Sequence, residues 1–178
     1  MTPDVNVVIS HSEYTVLVVD DVVSNVLLLK VLLTNEKFKV ITAGNGKEAL
    51  SQAVNARPDL ILLDVMMPEM NGFEVAERLK ADPETQHIPI IFLTALNTTA
   101  DIVKGFKVGA NDFISKPFNK EELVIRVTHQ ISLIAAKRII MKQTEELRKI
   151  IMGRDKLYSV IAHDLRSPMG SIKWCSIC

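Results

Sequence analysis

A chain of 178 residues has room for one full domain and an appendage, and its 48% hydrophobic and 24% charged residues are ordinary for a globular protein. Twenty-one basic residues balance 21 acidic ones, so no overall basic field favours binding to nucleic acid or to an anionic membrane. The N-terminus lacks a signal-peptide pattern, and the most apolar run, VLLLKVLL, is too short to span a bilayer. We therefore expect a cytoplasmic protein with no membrane segment.

The first 117 residues alternate between short β-rich runs and amphipathic runs. After a flexible leader at 1–13, the apolar patterns predict five strands, at 14–19, 38–43, 59–64, 88–95 and 111–115. Helical spacing predicts four intervening helices, at 22–36, 46–56, 72–82 and 98–109. The run DLILLD is almost continuously apolar, which is typical of a strand covered by helices on both faces. The sequence therefore predicts an α/β fold with a five-stranded, doubly wound parallel sheet.

A long C-terminal helical extension is predicted after Pro117. Asn119 is suited to cap its N-terminus, and no proline follows until Pro168. A first apolar stripe, suited to pack on the sheet, consists of Leu123, Val127, Ile131 and Ile134. A second stripe lies too far along to pack on the same domain and consists of Ile140, Leu147, Ile151, Tyr158, Ile161 and Leu165. We expect this second stripe to bind a partner helix, most simply that of a second copy in a coiled-coil homodimer.

Polar residues are predicted at the carboxyl ends of four strands, the edge at which open parallel α/β sheets bind ligands. They are Asp20, Asp21, Asp64, Thr94 and Lys116. Clustered carboxylates repel one another, and Mg²⁺, which prefers oxygen ligands, is the usual remedy. An aspartate beside such a metal can attack a phosphoryl group, while a lysine and a hydroxyl hold the remaining oxygens. The joint placement predicts a Mg²⁺-dependent phosphoryl-transfer site.

Residues 15 to about 135 resemble the receiver domain of two-component response regulators. The resemblance is carried, in this order, by VVDDVVSN, LLDVMMPEMNG, LTA and GANDFISKPF. It implies a flavodoxin-like sheet of order 2-1-3-4-5. It also implies that Asp64 is the phosphate acceptor and that Asp21 and Asp64 ligate Mg²⁺ together with the backbone carbonyl of Met66. Asp20 would act on the metal through a water molecule.

The same resemblance assigns the switch residues. Lys116 would pair with the phosphoryl group, and Thr94 would turn toward that group once it has formed. The movement of Thr94 would be coupled to the aromatic ring of Phe113. Many family members carry tyrosine at this position, so the switch in this chain would work without a ring hydroxyl. A phosphatase of the haloacid dehalogenase type is disfavoured, because it needs an aspartate two residues after Asp64, where Met66 stands.

A second resemblance covers about 145 to 178. SVIAHDLRSP is similar to the H-box of sensor histidine kinases, which implies that His163 is a phosphoacceptor and Asp164 its base. Ser167 stands where that family usually has threonine or asparagine, a position tied to dephosphorylation of the partner receiver. Cys175 and Cys178 form a C-x-x-C without further zinc ligands nearby, so we interpret them as reduced thiols.

These resemblances imply a receiver domain at 14–136 and, at 137–178, a helical linker with a truncated phosphoacceptor helix. The function implied is two-component phosphorelay signalling. A histidine kinase or a phosphotransfer protein would donate the phosphoryl group, and the receiver would regulate an attached kinase output. No ATP-binding segment is recognisable, so we expect no kinase activity from this chain alone. The alternative is a stand-alone receiver with a helical dimerisation tail in which His163 is inert.

Overall fold

The computed structural model describes residues 9–95 and 98–169, and Cys175 and Cys178 lie outside this part of the chain. The five strands are β1 Thr15–Val19, β2 Lys39–Ala43, β3 Leu60–Asp64, β4 Ile90–Thr94 and β5 Asp112–Ser115. The five α-helices are α1 Val23–Asn35, α2 Gly46–Ala56, α3 Gly72–Ala81, α4 Thr99–Lys107 and α5 Lys120–Met169. Helices follow strands in strict alternation, as the sequence predicts.

All five strands are parallel and form one sheet in the order β2-β1-β3-β4-β5, which confirms the predicted flavodoxin-like topology. The two neighbours β3 and β4 are buried along their whole length. Their near-continuous apolar sequences follow from this position, since helices cover both faces of the sheet. Asp64 and Thr94 are the last residues of these two strands, so the sheet presents both at its carboxyl edge.

Alternate residues of each strand enter two separate cores. Leu17 and Ile61 face a core shared with α2 and α3. Val16 and Leu62 face the opposite core, shared with α1 and the first turns of α5. Both cores are built by the period-two alternation of strand side chains, which sends successive residues to opposite faces. The carboxyl ends of β1 and β3 are thereby fixed side by side from both faces.

Four of the five described α-helices, α2 to α5, are capped at their start by a side chain placed just before them, whereas α1 begins after Val22 without such a cap. Asn71 and Glu74 form a reciprocal capping box at α3, and the side chains of Asn45 and Thr98 cap α2 and α4. Asn119 Oδ1 accepts from the Glu122 N–H at 3.1 Å, which is the cap predicted for α5. The loops at the carboxyl edge therefore lead into fixed helix starts.

The chain divides into two compact units, one ending at Ala135 and the other beginning at Ala136. Within the first unit, α5 buries Leu123, Val127 and Ile131 in the core, as their spacing predicts. Every side chain described from 136 to 166 is exposed. The second unit thus carries its apolar stripe on the surface of a helix.

The end of the segment expected as a leader takes part in the first unit. His11–Glu13 form a 3₁₀ turn, and the His11 ring stacks on Phe38 with a centroid distance of 4.4 Å. His11 Nδ1 also lies 2.8 Å from the Glu36 carbonyl oxygen. These contacts cover the amino-terminal edge of the sheet, opposite the edge that carries the polar cluster.

Candidate functional site

An ammonium group bridges two buried carboxylates at the carboxyl edge of the sheet. Lys116 Nζ lies 2.8 Å from Asp20 Oδ2 and 3.0 Å from Asp64 Oδ1. Asp20 is 1% exposed and Asp64 is 2% exposed. Three residues predicted from different strands are therefore in direct contact.

This burial shapes the ionisation of the cluster. Loss of water around Asp64 raises the pKa of its carboxyl above the ordinary value, and the charge of Asp20 adds to this, although the hydrogen bond from Lys116 opposes it. Burial by itself lowers the pKa of Lys116, but its hydrogen bonds to Asp20 and Asp64 outweigh that effect and raise the pKa. Lys116 is therefore held charged, whereas burial and the neighbouring Asp20 disfavour the negative charge of Asp64.

Asp20 has further donors. Its Oδ1 accepts from the Val22 N–H at 2.8 Å, and its Oδ2 accepts from Asn25 Nδ2 at 3.1 Å. Asn25 lies in the first turn of α1 and was not identified as a site residue by the sequence analysis, although it ends the VVDDVVSN motif. Asp20 thus has both oxygens engaged by protein groups.

Asp20, Asp21 and Asp64 together can hold a metal ion. One carboxylate oxygen from each lies within 4.8 Å of the others, and Asp21 is exposed whereas the other two are buried. Three carboxylate oxygens this close together, with the ammonium group of Lys116 beside two of the carboxylates, fit a hard dication such as Mg²⁺. The exposed Asp21 leaves the cluster open to solvent on its side.

The loop after β3 is held close to the cluster by a glycine. A Cβ atom on Gly72 would lie 2.2 Å from the Asp64 carbonyl oxygen, so only glycine permits this approach of α3. The Gly72 N–H donates to the Val65 carbonyl at 2.9 Å, and the Met66 N–H donates to Asp64 Oδ1 at 3.3 Å. Met66 therefore lies beside the Asp64 carboxyl, in the loop that was predicted to supply a backbone ligand.

The two predicted switch residues lie on neighbouring strands, Thr94 at the end of β4 and Phe113 within β5. Thr94 is nearly buried at the end of β4, and its carbonyl accepts from the Lys116 N–H at 2.9 Å. Phe113 lies two residues before the end of β5, where its ring packs 5.8 Å from that of Phe92 and 4.9 Å from that of Phe106. The predicted coupling of Thr94 to Phe113 remains a prediction.

Comparison with known proteins identifies this arrangement. The family model of the response regulator receiver domain matches residues 16–128. The chain belongs to this family. The strand-end aspartates and the lysine therefore stand in a receiver domain, and the order of its sheet is that of the receivers to which it is similar in structure.

Individual relatives agree with this assignment. The response regulator PleD of Caulobacter vibrioides is 46% identical over 134 residues, which are 75% of this chain and 28% of PleD. The DNA-binding response regulator MtrA of Mycobacterium tuberculosis is 46% identical over 112 residues, 63% of this chain and 48% of MtrA. The solved receiver domain of a signal transduction histidine kinase from Syntrophus aciditrophicus is 36% identical, with a TM-score of 0.62 over 67% of this chain and 90% of that one. The chain thus spans between about a quarter and a half of these curated relatives.

The residues of the predicted H-box lie in the second unit, beyond the family match. Their side chains are highly exposed, 85% for His163 and 76% for Asp164, and His163 Nδ1 lies 3.8 Å from Asp164 Oδ1. The Ser167 side chain lies outside the described residues. Among the helices described, none combines the length and the apolarity that a membrane crossing requires. A phosphoacceptor role for His163 remains a prediction from its sequence motif.

Proposed function

We propose that this chain accepts a phosphoryl group on Asp64 in a two-component phosphorelay. The observation that carries the proposal is the ammonium group of Lys116, which contacts the buried carboxylates of Asp20 and Asp64 within 3.0 Å. The donor would be a phosphohistidine on a histidine kinase or a phosphotransfer protein. An Asp64 oxygen forms a bond to phosphorus while the phosphorus–nitrogen bond of the donor breaks, and the released imidazole takes up a proton from solvent.

The chain's own residues prepare this step. Asp21, Asp64 and the Met66 carbonyl would hold Mg²⁺, with Asp20 acting through a water molecule, and the bound ion would neutralise charge on both carboxylate and phosphoryl group. Lys116 would release its contacts with Asp20 and Asp64 and hold a phosphoryl oxygen instead. The Thr94 hydroxyl would bind another phosphoryl oxygen and report the modification through Phe113.

The output would act through α5. We infer that phosphorylation biases the helical unit from Ala136 onward, and that the H-box motif around His163 belongs to an attached histidine-kinase output in the cytoplasm. In the alternative, the helix is a dimerisation tail of a stand-alone receiver. The likeness to the receiver of a Syntrophus aciditrophicus histidine kinase supports the first proposal, since receivers do occur within such kinases.

Phosphorylation of Asp64 is testable with a small phosphodonor. The full chain, incubated with acetyl phosphate and Mg²⁺, should gain the mass of one phosphoryl group in intact-protein mass spectrometry. Asp64→Asn should abolish the gain because the nucleophilic oxygen is removed. The added group should be lost in hydroxylamine, which cleaves acyl phosphates.

Asp155→Asn provides the matched control. It makes the same chemical change at an exposed position of the second unit and should leave the mass gain unaltered. Persistence of the phosphoryl group in Asp64→Asn would refute Asp64 as acceptor. If the mass gain in a chelator without Mg²⁺ equals the mass gain with Mg²⁺, the metal requirement is refuted.

A further inference from the structure

Asp20 accepts hydrogen bonds from three donors, and in the proposed phosphorylation one of them, Lys116, moves to the phosphoryl group. Lys116 Nζ and Asn25 Nδ2 both donate to Asp20 Oδ2, at 2.8 Å and 3.1 Å, while the Val22 N–H donates to Oδ1 at 2.8 Å. A lysine ammonium group has three protons, and Lys116 directs two of them at Asp20 and Asp64. If Lys116 turns toward a phosphoryl group, Asp20 Oδ2 keeps Asn25 as its remaining protein donor among the hydrogen bonds observed.

Asn25 is well placed to keep this contact. It stands half-buried in the first turn of α1, where its backbone N–H donates to the Val22 carbonyl at 3.0 Å. Val22 in turn binds the other oxygen of Asp20. The backbone of 20–25 and two side chains therefore close a small loop of hydrogen bonds that fixes the plane of the Asp20 carboxylate.

A neutral amide suits this task better than a second cation. Another ammonium or guanidinium group at this place would compete with Mg²⁺ for the carboxylates and repel Lys116. An amide donates to Asp20 without adding charge, so the site keeps its attraction for a dication. Partners that orient metal-binding groups in this way commonly change metal affinity or activity about 10- to 100-fold when they are removed.

We propose that Asn25 is a positioning residue of the receiver: its side-chain amide holds Asp20 in the orientation used toward Mg²⁺ when Lys116 moves to the phosphoryl group. This inference rests on the proposed phosphorylation of Asp64. It assigns to α1 a part in the chemistry, in addition to its packing on the sheet.

The test compares variants of the full chain by two measurements. Mg²⁺ affinity is determined by isothermal titration calorimetry with the metal alone, and the phosphorylation rate by intact mass with acetyl phosphate. Asn25→Leu, which is similar in volume and has no donor, should weaken Mg²⁺ binding and slow phosphorylation about tenfold. Asn25→Ala, which adds no apolar bulk, should do the same. Asn25→Gln, which keeps the amide, should recover most of both losses.

Ser24→Ala is the matched control, since Ser24 is the exposed neighbour on the same turn and should behave as the wild type. The positioning role is overturned if Asn25→Leu and Asn25→Ala stay within twofold of the wild type in both measurements, or if Asn25→Gln is as impaired as they are. If the wild type itself takes no phosphoryl group on Asp64, the proposed function fails and this inference fails with it. If the wild type is labelled and the Asn25 variants match it in both Mg²⁺ affinity and phosphorylation rate, the role of Asn25 alone is refuted.

Discussion

At the scale of single residues, Asp64 occupies a place that disfavours its own charge. Asp20 lies beside it, and one ammonium group serves both carboxylates. Burial is the larger cause of the raised pKa of Asp64, because a desolvated carboxylate is less stable than a hydrated one. A phosphoacceptor needs an ionised oxygen, so under the proposed function this loss of stability would accompany the capacity for phosphorylation.

Asp64→Asn should therefore stabilise the metal-free protein. The amide keeps the shape of the side chain and removes one of two adjacent negative charges, so the free energy of unfolding at pH 7 should rise by roughly 1 kcal/mol, the scale of an ordinary substitution. The cost of ionised Asp64 is present above its raised pKa in the folded state. That cost disappears below 3.8, its ordinary value, where the carboxyl is protonated in both states. The stability that Asp64→Asn gains over the wild type should thus shrink as the pH falls toward this value.

Urea denaturation in a chelator, between neutral pH and pH 4, measures this difference. Asp155→Asn, on the exposed helix, should give no gain at either pH. A destabilised Asp64→Asn at pH 7 would show that the hydrogen bond from Lys116 outweighs the burial of charge. An advantage independent of pH would show that ionisation of Asp64 is not its cause.

The residues of the cluster differ in how well the sequence reveals them. Asp20, Asp64 and Lys116 were predicted to lie together because parallel strands end at one edge of the sheet, so the topology alone brings their side chains near one another. Asn25 was missed because a polar residue in the first turn of a helix is common and usually faces solvent. Its contact with Asp20 depends on the backbone path through 20–25, which no spacing rule describes.

At the scale of elements, α4 and β5 pack through aromatic rings at a position that requires a glycine. A Cβ atom on Gly105 would lie 2.4 Å from Phe113 Cζ and 3.3 Å from Phe92 Cδ2. Phe106, next to Gly105, covers the Phe113 ring edge to face. The sequence predicted α4 and β5 separately, but the fit between them depends on their distance apart, which periodicity does not report.

Gly105→Ala should destabilise the receiver domain through the Phe113 ring. Overpacking of a core costs about 1–3 kcal/mol, whereas alanine gains about 1 kcal/mol over glycine in a helix, so we expect a net loss of up to about 2 kcal/mol. Urea denaturation of the full chain measures it. The double variant Gly105→Ala with Phe113→Leu should lose less than the two single variants added together, since the smaller side chain makes room for the methyl group.

Gly153→Ala tests the helix gain without the clash. Apart from its chain neighbours and the adjacent backbone of its own helix, no described atom lies within 4 Å of the Cβ position at Gly153, so this change should increase helix content by circular dichroism and leave the unfolding of the receiver unchanged. A Gly105→Ala variant as stable as the wild type would mean that the Phe113 ring moves without cost.

At the scale of the whole molecule, the two units differ in how they bury apolar surface. The first unit has two cores and covers both faces of its sheet. The second carries large apolar side chains that are exposed in the single chain, among them Leu147, Ile151 and Ile161. Polar layers interrupt this stripe at Thr144 and at Arg154, whose guanidinium lies 5.3 Å from the Tyr158 ring. Exposed apolar stripes of this length usually mark an interaction surface.

We predict that the full chain is a homodimer through 137–165. Two copies of the stripe would bury each other as the a and d positions of a coiled coil. Ile140, Leu147 and Ile161 show the required heptad spacing, since they are separated by seven and by fourteen residues. Multi-angle light scattering at micromolar concentration should give a dimer for the full chain and a monomer for a version ending at Ala136.

Ile151→Asp, within the stripe, should dissociate the dimer by placing two carboxylates in the seam, whereas Met152→Asp, one residue outside the stripe, should leave it intact. If light scattering gives a monomer both for the full chain and for the version ending at Ala136, dimerisation through this unit is refuted. A dimer that survives truncation at Ala136 would place the contact on the receiver domain instead.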